Sequence, residues 1–269
     1  MTRVIVHAGF HKTGTSSLQD YLRQNRALLA PHVSIHLKTD FKDAGNLARR
    51  YGLKPYSWRR RRFSRALRRY LAGVDDHPTV FLSWEGFSGV MPGHRRAITG
   101  TIRNFRRAGI PLARSIIREI HRRFGADADI VFLYTLRERE GWIESVWGHI
   151  VRSIRLTDDF PTFRAGFGDL IHLDEEAQKI AAAIAPVLVQ LSWLKDTAGL
   201  PQGPASAALD MFGLPEDLRN ALPPAKVTNR GNKADVRAEC LRLNRTEKDD
   251  GVLKRKKDAL VGHNRTVRT

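Results

Sequence analysis

Arg3-Val-Ile-Val-His-Ala-Gly-Phe-His-Lys-Thr-Gly-Thr-Ser-Ser-Leu-Gln19 opens the chain and decides its fold. Val4 to Val6 is a short apolar, β-branched run, the pattern of a strand buried on both faces. It leads into a turn carrying Gly9, Lys12 and Gly14, and then into a hydroxyl-rich helix start at Thr15, Ser16 and Ser17. Strand, glycine-bearing turn and helix start together make an anion cradle. Backbone N–H groups converge, the helix dipole adds positive potential, and Lys12 adds a full charge. The spacing therefore predicts a phosphate- or sulfate-bearing ligand at this turn. Beyond it, Leu18, Tyr21, Leu22, Leu28 and Leu29 recur mostly at three-and-four spacing and predict a helix over 15–29. Ser16 with Gln19 fits a capping box that would hold the helix start at the turn.

Working outward, strands are expected at 3–8, 33–37, 79–83 and 129–135, with helical stretches at 15–29, 43–73, 95–107, 112–124 and 141–155. Asp174 to Thr197, rich in alanine and leucine, reads as one further long helix. The apolar run Ile180–Leu191 within it contains Pro186 and is too short to span a bilayer. Pro/Gly clusters at 199–204 and 223–224 mark loops. Alternating strands and helices with continuous apolar strands predict an α/β fold: a three-layer sandwich with a central parallel sheet and a phosphate-binding loop after the first strand. One domain over 1–244 and a basic tail over 245–269 are expected. Apolar periodicity fades beyond Ala225, and the composition from about residue 245 onward is compatible with disorder.

The 269 residues suffice for one large core, with five tryptophans and twelve phenylalanines to fill it. A single cysteine, Cys240, excludes an intramolecular disulfide framework and suits a reducing compartment. The first strand begins so early that no signal peptide is expected, and a soluble, cytoplasmic protein is the simplest reading. The net charge of +18 is uneven. Residues 58–69 hold seven arginines and no acid, residues 94–123 nine arginines against Glu119, and residues 226–269 thirteen basic against six acidic residues. Anionic partners follow from this: a nucleotide, an acidic glycan or glycolipid, or a phospholipid surface in peripheral contact. Solvated helix faces account for the same charge equally well. Specific nucleic-acid binding is not expected, and no Cys/His or paired-carboxylate spacing suggests a metal site.

Gly9 and Gly14 have the spacing of the nucleotidase and kinase loop Gly-x-x-x-x-Gly-Lys-[Ser/Thr], but Thr15 stands where that lysine belongs. The lysine sits two residues before the second glycine instead. His11-Lys-Thr-Gly-Thr-Ser-Ser17 resembles the 5′-phosphosulfate loop of sulfotransferases that use 3′-phosphoadenosine 5′-phosphosulfate (PAPS). A second segment strengthens the likeness: Asp129-Ile-Val-Phe-Leu-Tyr-Thr-Leu-Arg-Glu-Arg-Glu-Gly-Trp-Ile-Glu-Ser-Val-Trp147. Arg137 follows its strand, and Ser145 comes eight residues later. The family carries such an arginine and serine to hold the cofactor's 3′-phosphate. An arginine fork with a serine hydroxyl suits a phosphate. The third likeness is Thr79-Val-Phe-Leu-Ser-Trp-Glu-Gly-Phe-Ser-Gly89, where Glu85 follows a strand as the family's base does in several branches.

The resemblance covers residues 3–150 and implies sulfuryl transfer from PAPS to a hydroxyl acceptor, a carbohydrate or glycolipid by family habit. Adenosine 3′,5′-bisphosphate would be the product, with no metal required. It assigns Lys12 and Glu85 as catalytic. His11, Lys12, Thr13, Gly14, Thr15, Ser16, Ser17, Arg137 and Ser145 would bind the cofactor. In the late segment Lys226-Val-Thr-Asn-Arg-Gly-Asn-Lys233, Arg230 and Gly231 are candidates for a loop closing over the nucleotide. Two other readings stay open: a phosphate-loop kinase or nucleotidase, and a non-catalytic polyanion-binding protein. The acceptor pocket is expected in the loops of 38–78 and 150–175.

Overall fold

Alternate side chains of the apolar strands feed two separate cores. The structure, a computed structural model, describes residues 1–96, 100–167, 171–226 and 234–266. Along the chain come β1 (Arg3–His7), β2 (Ser34–Leu37), β3 (Thr79–Ser83), a small hairpin of β4 (Arg95–Arg96) and β5 (Gly100–Thr101), β6 (Asp129–Leu136) and β7 (Leu188–Trp193). All but the hairpin join one parallel sheet in the order β2-β3-β1-β6-β7. Helices α1 (Thr15–Gln24) and α2 (Arg26–Leu29) follow β1, and α3 (Lys42–Leu53) and α4 (Ser57–Ala72) follow β2. Next are α5 (Arg106–Phe124) before β6, then α6 (Arg139–Ser153), α7 (Phe160–Ala165) and α8 (Leu173–Ile184) before β7. Helices α9 (Leu194–Thr197), α10 (Ser206–Leu209), α11 (Glu216–Ala221), α12 (Ala234–Thr246) and α13 (Asp250–Thr266) complete the described chain.

The two-residue period of a strand sorts the layers. Val4, Val6, Phe132 and Tyr134 face a core shared with Leu67 of α4, Ile116 of α5, Trp142 of α6, Ile180 of α8 and Cys240 of α12. Ile5, Phe81, Val131 and Leu133 face the other core, with Leu18 and Leu22 of α1 and Leu209 of α10. The result is the expected three-layer sandwich. Burying such side chains is worth about 1.5–3 kcal/mol each, so strand middles serve packing, and the carboxyl ends are left for polar chemistry. From β1 the chain passes to β2 on one side of the sheet, while from neighbouring β6 it passes to β7 on the other. Connections leaving adjacent strands in opposite directions open a crevice beyond their carboxyl ends.

Several expectations are corrected. The helix expected over 15–29 divides at Asn25 into α1 and α2. The 174–197 helix ends at Ile184, because Pro186 removes a backbone donor and disfavours helical backbone at the residue before it. Leu188–Trp193 then adds to the sheet edge as β7. The two helices expected at 95–107 and 112–124 are instead the hairpin and one helix, α5, running through Pro111. The buried face Ala108, Leu112, Ala113, Ile116 and Ile120 continues across that proline, and its packing offsets a cost of about 3 kcal/mol.

The tail read as compatible with disorder contains the helix α13. The buried Lys257 donates to the carbonyls of Val151 (2.8 Å) and Ile154 (2.9 Å). Asn244 of α12 donates to those of Val151 (2.9 Å) and Leu156 (2.8 Å). These bonds tie α12 and α13 to carbonyls at and just beyond the end of α6. Among the described residues no helix is long and apolar enough to cross a membrane.

Candidate functional site

Strand register brings the floor of the crevice together. His7 lies level with Ser83 of β3 and Leu133 of β6. Its Nδ1 is 2.8 Å from the Ser83 hydroxyl and its Nε2 is 3.3 Å from the Thr135 hydroxyl. Thr135 is 2.8 Å from the Thr13 hydroxyl, which donates to the Phe10 carbonyl at 2.6 Å. Gln19 of α1 donates to the Ser83 hydroxyl and carbonyl, each at 3.1 Å.

These partners determine one proton order. Thr13 spends its proton on Phe10, so Thr135 donates to Thr13 and accepts from His7 Nε2–H. His7 Nδ1 then accepts from Ser83, whose oxygen accepts from Gln19. Every hydroxyl and ring nitrogen of this network is satisfied, and the floor is neutral. Burial lowers the His7 pKa to about 4, against a smaller opposing pull from Glu85. Gly9 is required above this floor. A Cβ there would lie 2.5 Å from His7 Nε2 and 2.7 Å from Thr135 Oγ1.

The turn above the floor carries two left-handed residues, Lys12 (φ 70°) and Gly14 (φ 94°). Gly14 is also the N-cap of α1, which has no side-chain cap. The capping box expected from Ser16 and Gln19 does not form: Gly14 is the N-cap, Ser16 lies inside α1, and Gln19 is used in the floor. The first N–H groups of α1 are therefore left without an intrahelical or side-chain partner at the crevice. Thr13 and Thr15 are buried, with their hydroxyls directed at the Phe10 carbonyl. They offer a ligand their backbone rather than their side chains. Ser16 is exposed and Ser17 partly so. His11 acts as a clip: its Nε2–H donates to the Gly89 carbonyl (3.1 Å), and its own carbonyl accepts from Trp142 of α6 (2.8 Å).

The rim is cationic. Lys12 is half-buried, and burial, then Arg152 and Arg137, lower its ammonium pKa below the ordinary value. Arg137 leaves the end of β6 and lies against the start of α6, about one side-chain contact from Gly141 (3.4 Å to a Cβ built there). Ser145 is partly buried one turn further on. With Trp142, His149 and Arg152 it occupies positions of three-and-four spacing, hence one face of α6. Burial, then Lys12, Arg152, His94 and His11, press the His149 pKa down to about 3. Burial, then His11 and Arg49, lower that of His94 to about 4. The two rings sit edge to face at 6.5 Å. Cations crowded this way repel one another, and an anion between them would relieve the repulsion. The donor set, an uncapped helix start with Lys12, Arg137 and Arg152, suits phosphate or sulfate oxygens.

Glu85 begins a short 3-10 turn, Glu85–Ser88, after β3. Lys38, just beyond β2, donates to its Oε1 at 3.2 Å. The Lys38 loop is held by Asp40, which accepts from the Leu37 N–H (2.9 Å) and from Arg26. Burial alone would raise the Glu85 pKa, but His11 and Lys38 outweigh it and hold the carboxyl below its usual range. Its Oε2 is buried with no hydrogen-bond partner on another described residue.

The structure thus sets Lys12, the loop through Ser17, Glu85 and Arg137 beyond the carboxyl ends of β1, β3 and β6, with Ser145 in the second turn of α6. Arg230 and Gly231 lie outside the described residues. Sequence reading did not single out His7, Lys38, Ser83, Thr135, His149 or Arg152. The spacing of His149 and Arg152 from Ser145 was the available signal for the last two. Among the described residues, no group of three or more His, Cys, Asp or Glu is arranged to hold a metal ion. Comparison of the chain with known proteins finds no matching family model, no matching curated protein and no matching solved structure.

Proposed function

We propose that this protein transfers a sulfuryl group from PAPS to a hydroxyl of a carbohydrate or glycolipid. The observation that carries the reading is Lys12, a non-glycine residue in left-handed backbone between β1 and an uncapped helix. That conformation costs about 1–2 kcal/mol, and glycine would avoid the cost but not supply the ammonium. Arg137, at the end of the adjacent strand, supports the reading from across the crevice.

In this reading the loop N–H groups and Lys12 hold the 5′ side of the donor, and Arg137 with Ser145 holds its 3′-phosphate. When bound, PAPS supplies the sulfuryl group: an acceptor O–S bond forms as the S–O bond to the 5′-phosphate breaks, whose electron pair stays with adenosine 3′,5′-bisphosphate. Lys12 stabilises the charge that grows on the departing oxygen, as fixed cations do in phosphoryl transfer. Lysine and arginine take the part a metal clamp plays there. Glu85 accepts the acceptor's proton. Lys38 keeps that carboxylate ionised and engages one of its oxygens. The kinase reading lacks a lysine after Gly14, and no described feature favours it.

The test is incubation with PAPS and a panel of oligosaccharides, followed by mass analysis for an added sulfuryl group. Glu85→Gln is expected to lower turnover about 100-fold or more while leaving bisphosphate affinity intact. Full turnover by Glu85→Gln would assign the proton to another group. A protein that binds the bisphosphate yet sulfates no hydroxyl would contradict the reading.

A further inference from the structure

Arginines of this chain are used in two different ways. Five of the six on α5 bond to carbonyls and acids within the protein. Arg114 donates to the Ala183 carbonyl (2.9 Å), Arg123 to those of Leu71 (3.1 Å) and Val74 (2.6 Å), and Arg106 pairs with Glu176. Arg118 and Arg122 join Arg68 around the buried Glu119. On α4, by contrast, no ion pair among the described residues reaches Arg60, Arg61, Arg62, Arg65 or Arg69, although all five are partly or fully exposed.

These arginines have a shape as well as a charge. Between α3 and α4 lies a cleft of about 540 Å³ whose lining includes Arg50, Arg62, Arg65, Arg68 and Arg69, with Asp43 its one acid. At the start of α4, Tyr56 and Trp58 are 54% and 46% exposed, with rings 15° from parallel. The Arg59 guanidinium lies 5.0 Å from the Trp58 ring centre and that of Arg62 6.0 Å. The apolar side of α4, with Phe63, Ala66, Leu67 and Leu71, is buried in the core. It is not available to enter a bilayer, and a flat membrane cannot fill a cleft between two helices.

The cleft also adjoins the crevice. Helix α3 lines it with Asp43, Leu47 and Arg50. Toward the crevice, α3 sets Gly45 against Trp84 and Gly52 against Gly89 and Val90, with Arg49 near His94. Helix α3 therefore stands between the arginine cleft and the segment Trp84–Val90 that carries Glu85. An exposed aromatic pair with cations beside it suits a sugar ring that carries acidic substituents.

We infer that the α3–α4 cleft binds the carboxylate or sulfate groups of an acidic glycan chain, with one sugar against Trp58. That this glycan is also the acceptor rests on the sulfuryl-transfer reading; its binding does not. The test is calorimetric titration with a chondroitin sulfate hexasaccharide. A neutral chitin hexasaccharide, a single-stranded oligonucleotide and phosphatidylserine-containing vesicles are the other probes, and adenosine 3′,5′-bisphosphate is titrated separately.

The sulfated hexasaccharide is expected to bind in preference to the other three. Its affinity should fall about tenfold or more in the triple variant Arg62→Glu, Arg65→Glu, Arg69→Glu, and about threefold in Trp58→Ala. Bisphosphate affinity should be the same in all of them. Unchanged hexasaccharide affinity in the triple variant, or tighter binding of vesicles or oligonucleotide by the parent, would overturn the inference. Loss of glycan binding in the triple variant of a protein that never binds the bisphosphate would uphold the cleft and remove the transferase reading.

Discussion

The floor and the rim of the crevice are polar regions built on the same strand ends, and they behave oppositely. The floor, from Gln19 through Ser83, His7 and Thr135 to Thr13, is buried, neutral and closed, with each hydroxyl both giving and taking a bond. On the rim, Lys12, Arg137 and Arg152 have like charges for neighbours, and Lys12, His94 and His149 are all driven toward their neutral forms. A satisfied buried network rigidifies what stands on it. Cations set beside one another on a rigid base, with Glu144 the acid that acts on Arg137, are arranged for a ligand that brings its own charge. Support and chemistry are thus divided between residues adjacent in the chain: Thr13 belongs to the floor, Lys12 to the rim.

The contrast breaks first at Gly9. Gly9→Ala drives a methyl group into His7 and Thr135. It should cost about 3 kcal/mol or more through overpacking and lost hydrogen bonds. The thermal midpoint should drop by about 6–12 °C; an unchanged midpoint would show the floor to be pliable. Acid attacks the same place. The His7 pKa is about 4 when folded and 6.5 when free. The unfolded chain therefore binds the extra proton between those values, and stability present above pH 6.5 is lost as the pH falls toward 4. For His7 this amounts to about 3 kcal/mol, readable as a falling urea midpoint. His94 and His149 act with the same sign.

Rim substitutions should separate binding from stability. Arg137→Ala is expected to weaken bisphosphate binding about 10- to 150-fold, the loss of a charge-assisted pair of about 1.5–3 kcal/mol. The melting midpoint should stay put. Lys12→Gly sharpens the comparison most. It relieves left-handed backbone and should raise stability by about 0.5–1 kcal/mol while turnover collapses. A variant less stable than the parent would mean that Lys12 belongs to the floor.

Much of this was legible in the sequence, for identifiable reasons. β1, β3 and β6 are continuous apolar runs, and the loop after β1 has its own glycine and lysine spacing, so sheet and crevice followed directly. β7 did not, because Leu188–Trp193 is a partly exposed edge strand whose apolar run is continuous with that of α8 across Pro186. The floor was invisible for a topological reason. His7, Ser83 and Thr135 are ordinary polar residues 76 and 128 positions apart that only strand register unites. His149 and Arg152 acquire meaning once α6 has a face. The arginine count was plain, but which guanidiniums are used within the fold, as five on α5 and Arg68 on α4 are, depends on which carbonyls and acids lie within reach.

The most direct test of the central claim is calorimetric titration with adenosine 3′,5′-bisphosphate, in the absence of metal, beside ATP with Mg²⁺. Micromolar binding of the bisphosphate is expected, unaffected by a chelator and tighter than that of ATP–Mg²⁺. Preference for ATP–Mg²⁺, or no nucleotide binding by the folded protein, would contradict it.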